Sequence, residues 1–282
     1  MLACWVDRKV TARIQWRVGP PWYQNFLDFI KLLGKEIIVP ESAKWNFLLA
    51  PVLGLVSITI VATLVGRNLI NPQVSFLGDI IVVLYFLIMP SLAVIMGGSA
   101  SANPLASVGV SREIKLILSY ELPFILSLLV PIIKSGSIKI GDIIAYQMAH
   151  GSFWFSFSGG IAFVVAFLCM QAKLGLVPFD MAESEQEIMG GVYIEYSGLP
   201  LAMFKLMHQM MLVVIPLFLI SLFWSFNLTA AWVALKYVIL LVIIILIKNT
   251  NPRLRVDQAM RFFWGPMTLL AFASVVLALL GL

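Results

Sequence analysis

Five carboxylates, Asp180, Glu183, Glu185, Glu187 and Glu195, fall within PFDMAESEQEIMGGVYIEYSG, residues 178–198, with no basic residue among them. The chain has 14 acidic residues in 282, so more than a third of its negative charge sits in one connection. Asp180 and Glu183 have the D-x-x-E spacing of a helix-capping box, and Glu183 and Glu187 would then share a helix face. Like charges at that distance disfavour simultaneous ionisation, so neighbouring glutamates can share protons near neutral pH. Glu183, Glu187 and Glu195, bracketed by Lys173 and Lys205 and followed by Tyr196, have the composition of a proton-relay entrance. Gly190 and Gly191 allow a tight turn between them. Local capping explains Asp180, and a solvated loop explains Glu185, but neither explains the whole set.

A relay needs a continuation, and SYELPF supplies Glu121 about two turns into an apolar run. A charge at that depth costs roughly 2.5–3.5 kcal/mol, so Glu121 must face the bundle interior and is a functional candidate. Asp79 opens another apolar run, where an interfacial cap and a pathway role are both open. Lys236 either snorkels or pairs with an acid. Cys4, Cys169, His150 and His208 form no CxxC or Cys/His cluster, so no iron–sulfur, zinc or other cofactor site is expected in this chain. Nucleophilic triads, phosphate loops and dinucleotide fingerprints are missing, which argues against catalysis by this chain alone.

The elements that must position these groups are membrane helices. The sequence is 61% hydrophobic and 12% charged, against roughly 25% charged in soluble domains. Seven windows suit a bilayer core of about 30 Å: 45–65, 79–96, 114–133, 153–171, 206–226, 228–247 and 264–282. Alternating barrel strands are absent, so the fold expected is an all-α polytopic bundle forming one domain. Met1–Trp5 is too short to span and is not a signal peptide; with the basic stretch after it, it reads as the end of an earlier, truncated span. By the positive-inside rule, residues 6–44, 97–113, 173–205 and 248–263 are cytoplasmic, since every Lys and Arg except Arg67, Lys134, Lys139 and Lys236 falls in or beside them. That face can meet anionic lipid or an acidic partner. NFLDFIKLLGKEII, residues 25–38, sets Phe26, Ile30, Leu33 and Ile37 on one face and Asp28, Lys31 and Lys35 on another, an interfacial amphipathic helix. Lys31, Lys35 and Glu36 are placed to contact a partner or line a polar cavity. No internal repeat of the secondary-transporter kind is present.

In order along the chain, DRKVTARIQWRVGP, DFIKLLGKE, Asp79, REIKLILSYEL, the acidic loop and NPRLRVDQAMRFFW resemble the respiratory NADH dehydrogenase subunit 1 family, over nearly the whole sequence. The resemblance implies an eight-span layout whose first span is truncated here. It implies a subunit without a redox centre that holds a peripheral electron-transfer arm against the membrane. The proton path it implies comprises Asp180, Glu183, Glu185, Glu187, Glu195 and Glu121, with Asp79, leading toward antiporter-like subunits. Arm docking would involve Arg17, Lys31, Lys35, Glu36, Arg112, Arg253, Arg255 and Asp257, the last three open to a conducting role as well. RVGPPWYQNFLDFIKLLGKE lacks the longer GPNRVGP-type segment of quinone-reducing members, and His208 stands near a position where they commonly have Glu. The shorter form is similar to membrane-bound group 4 nickel–iron hydrogenases. That branch implies hydrogenase-like large and small subunits and an iron–sulfur subunit as partners, carrying iron–sulfur clusters and a nickel–iron centre, with ferredoxin-driven hydrogen evolution coupled to proton or sodium movement. A quinone-reducing complex, a sulfur-reducing complex with the same membrane module and, from another class, a stand-alone ion transporter are the alternatives. Nucleic acid is not an expected partner.

Overall fold

The computed structural model describes residues 1–40 and 43–281. Among them the regular elements are helices and no strand occurs: α1 Leu2–Ile14, α2 Gln24–Leu33, α3 Lys44–Ile70, α4 Asp79–Ala100, α5 Pro104–Ser135, α6 Ile140–His150, α7 Phe157–Lys173, α8 Glu185–Ile188, α9 Gly198–Phe223, α10 Ala230–Thr250, α11 Val256–Phe262 and α12 Thr268–Leu279. Six segments are long and apolar enough to cross a membrane, namely α3, α4, α5, α9, α10 and the continuous α11–α12 stretch from Val256 to Leu279. The seventh expected window is α7, whose 17 residues give about 25 Å of helix, slightly less than a bilayer core.

Local chemistry sets the boundaries that matter for the site. Asn103 accepts a hydrogen bond from Leu105 N at 2.9 Å, and Pro104 occupies the first turn, so α5 starts there. The connection expected over 97–113 therefore contracts to residues 101–103, and Glu113 lies on α5. At 32 residues, α5 is about 48 Å long, more than a bilayer core of about 30 Å needs. The amphipathic helix is also shorter than its apolar pattern suggests. It stops at Gly34, and Lys35–Ile38 run as non-helical chain beside Ser197, whose hydroxyl donates to Glu36 O (3.1 Å) and accepts from Ile38 N (3.2 Å). Its Phe26, Ile30 and Leu33 are exposed, as an interfacial face requires.

Small residues allow the closest approaches in the bundle. Gly54 of α3 faces Ala93 of α4 and Met207 of α9, where an added Cβ would lie 2.4 Å from the Met207 sulfur. Phe263–Met267 forms a π-helical turn around Pro266, between α11 and α12, where proline removes a backbone donor. Helix α6 falls outside the seven windows. Its buried Gln147 donates to Leu222 O at 2.9 Å and accepts from Ser225 N at 3.0 Å, satisfying the end of α9. Lys236 serves the same end, donating to Trp224 O at 2.8 Å and to Phe226 O, so it caps carbonyls and pairs with no acid among the described residues.

Candidate functional site: the acidic loop and the cavities behind it

The loop acids are answered by residues from distant elements. Arg253, ahead of α11, pairs with Asp180 at 2.8 Å and donates to Ser184 Oγ at 3.0 Å. His208 of α9 reaches Glu183 with Nε2–Oε1 at 3.1 Å. Arg112 of α5 pairs with Glu187 and also donates to Met181 O at 3.2 Å. Asn103 donates to Glu195 at 2.6 Å. The side chain of Glu185 lies outside the described residues. The expected helical register from Asp180 to Glu187 does not form. The α-helix in this stretch is the short α8, and Asp180 and Glu183 are held instead by Arg253 and His208, so Glu183 and Glu187 do not share a helix face. The expected tight turn is present, with φ positive at Met189, Gly190 and Gly191. Tyr196 fixes the far end of the loop, stacking on Phe47 with centroids 3.9 Å apart and donating to Phe47 O at 3.1 Å.

Inside the bundle, Glu121 forms an ion pair with Lys173, whose side chain is 1% exposed. The ammonium also lies 5.3 Å and 5.2 Å from the Tyr120 and Phe124 ring centroids. Glu121 Oε2 is buried without a hydrogen-bond partner. Between Lys173 and the loop is a cavity of about 10 Å³ of water-accessible volume, lined among others by Ser91, Glu113, Lys173, Asp180, Glu183 and His208. That is room for roughly one water.

On the other side of the Glu183–His208 pair is a chamber of about 520 Å³ between α1, α2, α9 and the loop, whose lining includes Arg8, Asn25, Asp28, Tyr193, Lys205 and Gln209. Arg8 of α1 clamps α2 by donating to Asn25 at 2.6 Å and Asp28 at 3.2 Å. Tyr193 and Gln209 also line the chamber; the Tyr193 hydroxyl bears on the Glu183 carboxylate, and Gln209 Oε1 is buried without a hydrogen-bond partner. Glu183 and His208 line both spaces and form the partition between them.

The structure thus brings Asp180, Glu183 and, through Lys173, Glu121 together. Glu187 and Glu195 face outward, and Asp79 stands at the opposite end of α4, accepting from Asn68 Nδ2 at 3.1 Å and from Phe76 N. Of the docking set, Arg17, Lys31, Lys35, Glu36, Arg255 and Asp257 are exposed, whereas Arg112 and Arg253 are engaged with the loop. Sequence reasoning singled out neither Glu113 nor the pairing of Lys173 with Glu121. The Asn103–Pro104 cap was the signal for Glu113, since it places REIKLILSYE on one continuous helix.

Burial pushes the Asp180 carboxyl above its ordinary value, against the pull of Arg253. For Glu183 burial acts in the same direction but is outweighed by the charge and hydrogen bond of His208, so its carboxyl lies below the ordinary value. The signs are opposite. Glu183 contributes stability above its ordinary value that is lost as pH falls through its folded value, whereas the contribution of Asp180 declines as pH rises between its ordinary and folded values. Arg253→Gln removes the opposing cation and extends the Asp180 window upward. Hydrogen exchange across residues 178–198 is expected to be faster than in the native chain at about pH 8, with the difference shrinking toward about pH 5. Equal exchange at both would remove Arg253 from loop stabilisation.

A family model described as NADH dehydrogenase matches residues 1–279. The chain is 31% identical over 298 residues to an NADH-quinone oxidoreductase subunit from Carboxydothermus hydrogenoformans, covering 98% of this chain and 83% of that protein. It is 34% identical over 299 residues to the corresponding subunit from Thermomicrobium roseum, covering 96% and 88%. A solved structure of a membrane-bound sulfane sulfur reductase, an archaeal respiratory membrane complex, superposes with a TM-score of 0.89 at 26% identity, covering 98% of this chain and 93% of that one.

Proposed function

Since this chain belongs to the NADH dehydrogenase family of membrane subunits, we propose that it anchors a peripheral electron-transfer arm to the membrane and couples the arm's redox reaction to ion movement. The observation that carries this reading is the shared partition. Glu183 and His208 form one wall of the chamber between α1, α2 and α9 and one wall of the cavity lined by Lys173, the partner of Glu121. Redox-linked movement of charge in the chamber changes proton affinity at the partition, and each pKa unit is about 1.36 kcal/mol of bias. The arm docks on the cytoplasmic loop face, and antiporter-like subunits receive the ion step within the bilayer.

The arm proposed is hydrogenase-like, with iron–sulfur clusters and a nickel–iron centre in partner subunits and none in this chain. The direct passage from Gly19-Pro20-Pro21 into α2 and the histidine at position 208 support it. A quinone-reducing arm is the second reading, supported by the chamber itself. Its volume lies within the roughly 300–1,000 Å³ range of small-molecule sites, and Tyr193, Lys205 and Gln209 are among the polar residues that line it. The complex purified from native membranes decides between them. Co-purification of a nickel–iron subunit and hydrogen evolution from reduced ferredoxin are expected; quinone-dependent oxidation sensitive to quinone-site ligands, without hydrogen, would replace the first reading by the second. Isolation of the chain alone, carrying ion flux in liposomes, would overturn both.

A further inference from the structure

Glu113 is the one carboxylate on the small cavity that no cation pairs with among the described residues. The groups facing it are Ser91 from α4, Asp180 and Glu183 from the loop, Lys173 from α7 and His208 from α9. The three cationic partners nearby are already engaged: Lys173 with Glu121, His208 with Glu183 and Arg253 with Asp180. The cluster is therefore one positive charge short. A half-buried carboxylate without a cation is costly as an anion, and a proton held among coupled acids restores the balance.

We propose that Glu113 is a proton-carrying residue that links the Glu183–His208 partition to the Lys173–Glu121 pair across the water-sized cavity. This deepens the coupling role proposed above and rests on it. The proton leaves the Glu183–His208 pair, resides on the Glu113 carboxyl and passes through the cavity to Lys173, whose ammonium gives up a proton to its partner Glu121 as it takes the new one. No bond other than O–H or N–H is made or broken. The position is suited to the task because α5 carries both Glu113 and Glu121, so one rigid helix fixes the start and the end of the step.

The test uses the intact complex in sealed vesicles, with electron transfer and gradient formation measured side by side in Glu113→Gln, Glu113→Asp and Glu121→Gln. Glu113→Gln is expected to lower gradient formation at least about tenfold with electron transfer kept within about twofold, a tenfold loss being about 1.4 kcal/mol of barrier. Glu113→Asp, which keeps the proton but lengthens the hop, is expected to recover most of the gradient with a larger solvent deuterium isotope effect. Loss in Glu121→Gln with a normal gradient in Glu113→Gln overturns this inference alone; normal gradients in both overturn the coupling reading itself. Should the glutamine variant fail to assemble, the isotope effect in Glu113→Asp decides, and an unchanged value refutes the role.

Discussion

Glu121→Gln is expected to leave the arm attached and its electron transfer measurable while abolishing the ion gradient. Glutamine keeps the shape of the side chain and cannot carry the proton, so the chemistry of the arm is untouched and the coupled step is removed. The variant also strands Lys173, whose remaining polar contact is Leu87 O at 3.5 Å. Leaving one member of a buried pair uncompensated costs about 3–5 kcal/mol, which is expected to lower the yield of complex while the assembled fraction keeps its arm. The double variant Glu121→Gln/Lys173→Met separates the two effects. It removes the stranded charge, is expected to restore assembly toward the native yield, and is expected to remain without a gradient. Proton uptake by vesicles, followed with electron transfer, is the measurement. A native gradient in an assembled double variant would exclude this pair from coupling.

Gly191→Ala has the second largest expected effect, and it acts on the loop rather than on any charge. Gly191 adopts φ +50°, and a Cβ there would stand 2.3 Å from Ala182 O, a backbone atom with no freedom to withdraw. Left-handed backbone costs an L-residue roughly 1–2 kcal/mol, and the overlap adds to it. Gly190, with φ +89° and nothing within 4 Å of an added Cβ, carries only the conformational part. Gly191→Ala is therefore expected to expose the acidic loop to protease and to lower co-purification of the arm severalfold, while Gly190→Ala stays near native in both. Equal behaviour of the two variants would mean that the close approach to Ala182 does not hold the loop.

Much of the bundle was legible because long apolar runs leave few alternatives in lipid: α3, α4, α5, α9, α10 and the α11–α12 stretch all fall on expected windows. Helix α6 was not, since IGDIIAYQMAH is too short and too polar to stand out from a connection. The site divides along the same line. The acids themselves were visible as an unusual concentration, and the depth of Glu121 followed from its run. Their partners were not, because Arg112 lies 75 residues from Glu187 and Arg253 lies 69 from Ser184, and spacing carries no information about contacts at that range. Local rules then misled: the D-x-x-E spacing favours a capping box, but Arg253 offers Asp180 a charged partner that an exposed backbone amide cannot match. Glu113 was hidden by a boundary error of ten residues, nearly three turns, at the start of α5.

The narrow space behind the Glu183–His208 wall, about 10 Å³ for the centre of a water molecule, has room for roughly one molecule. One water between titratable side chains completes a chain of bonds along which a hydrogen ion can hop, with nothing larger having to enter. Contact between the acidic loop and the Lys173–Glu121 pair then depends on whether that single molecule is in place.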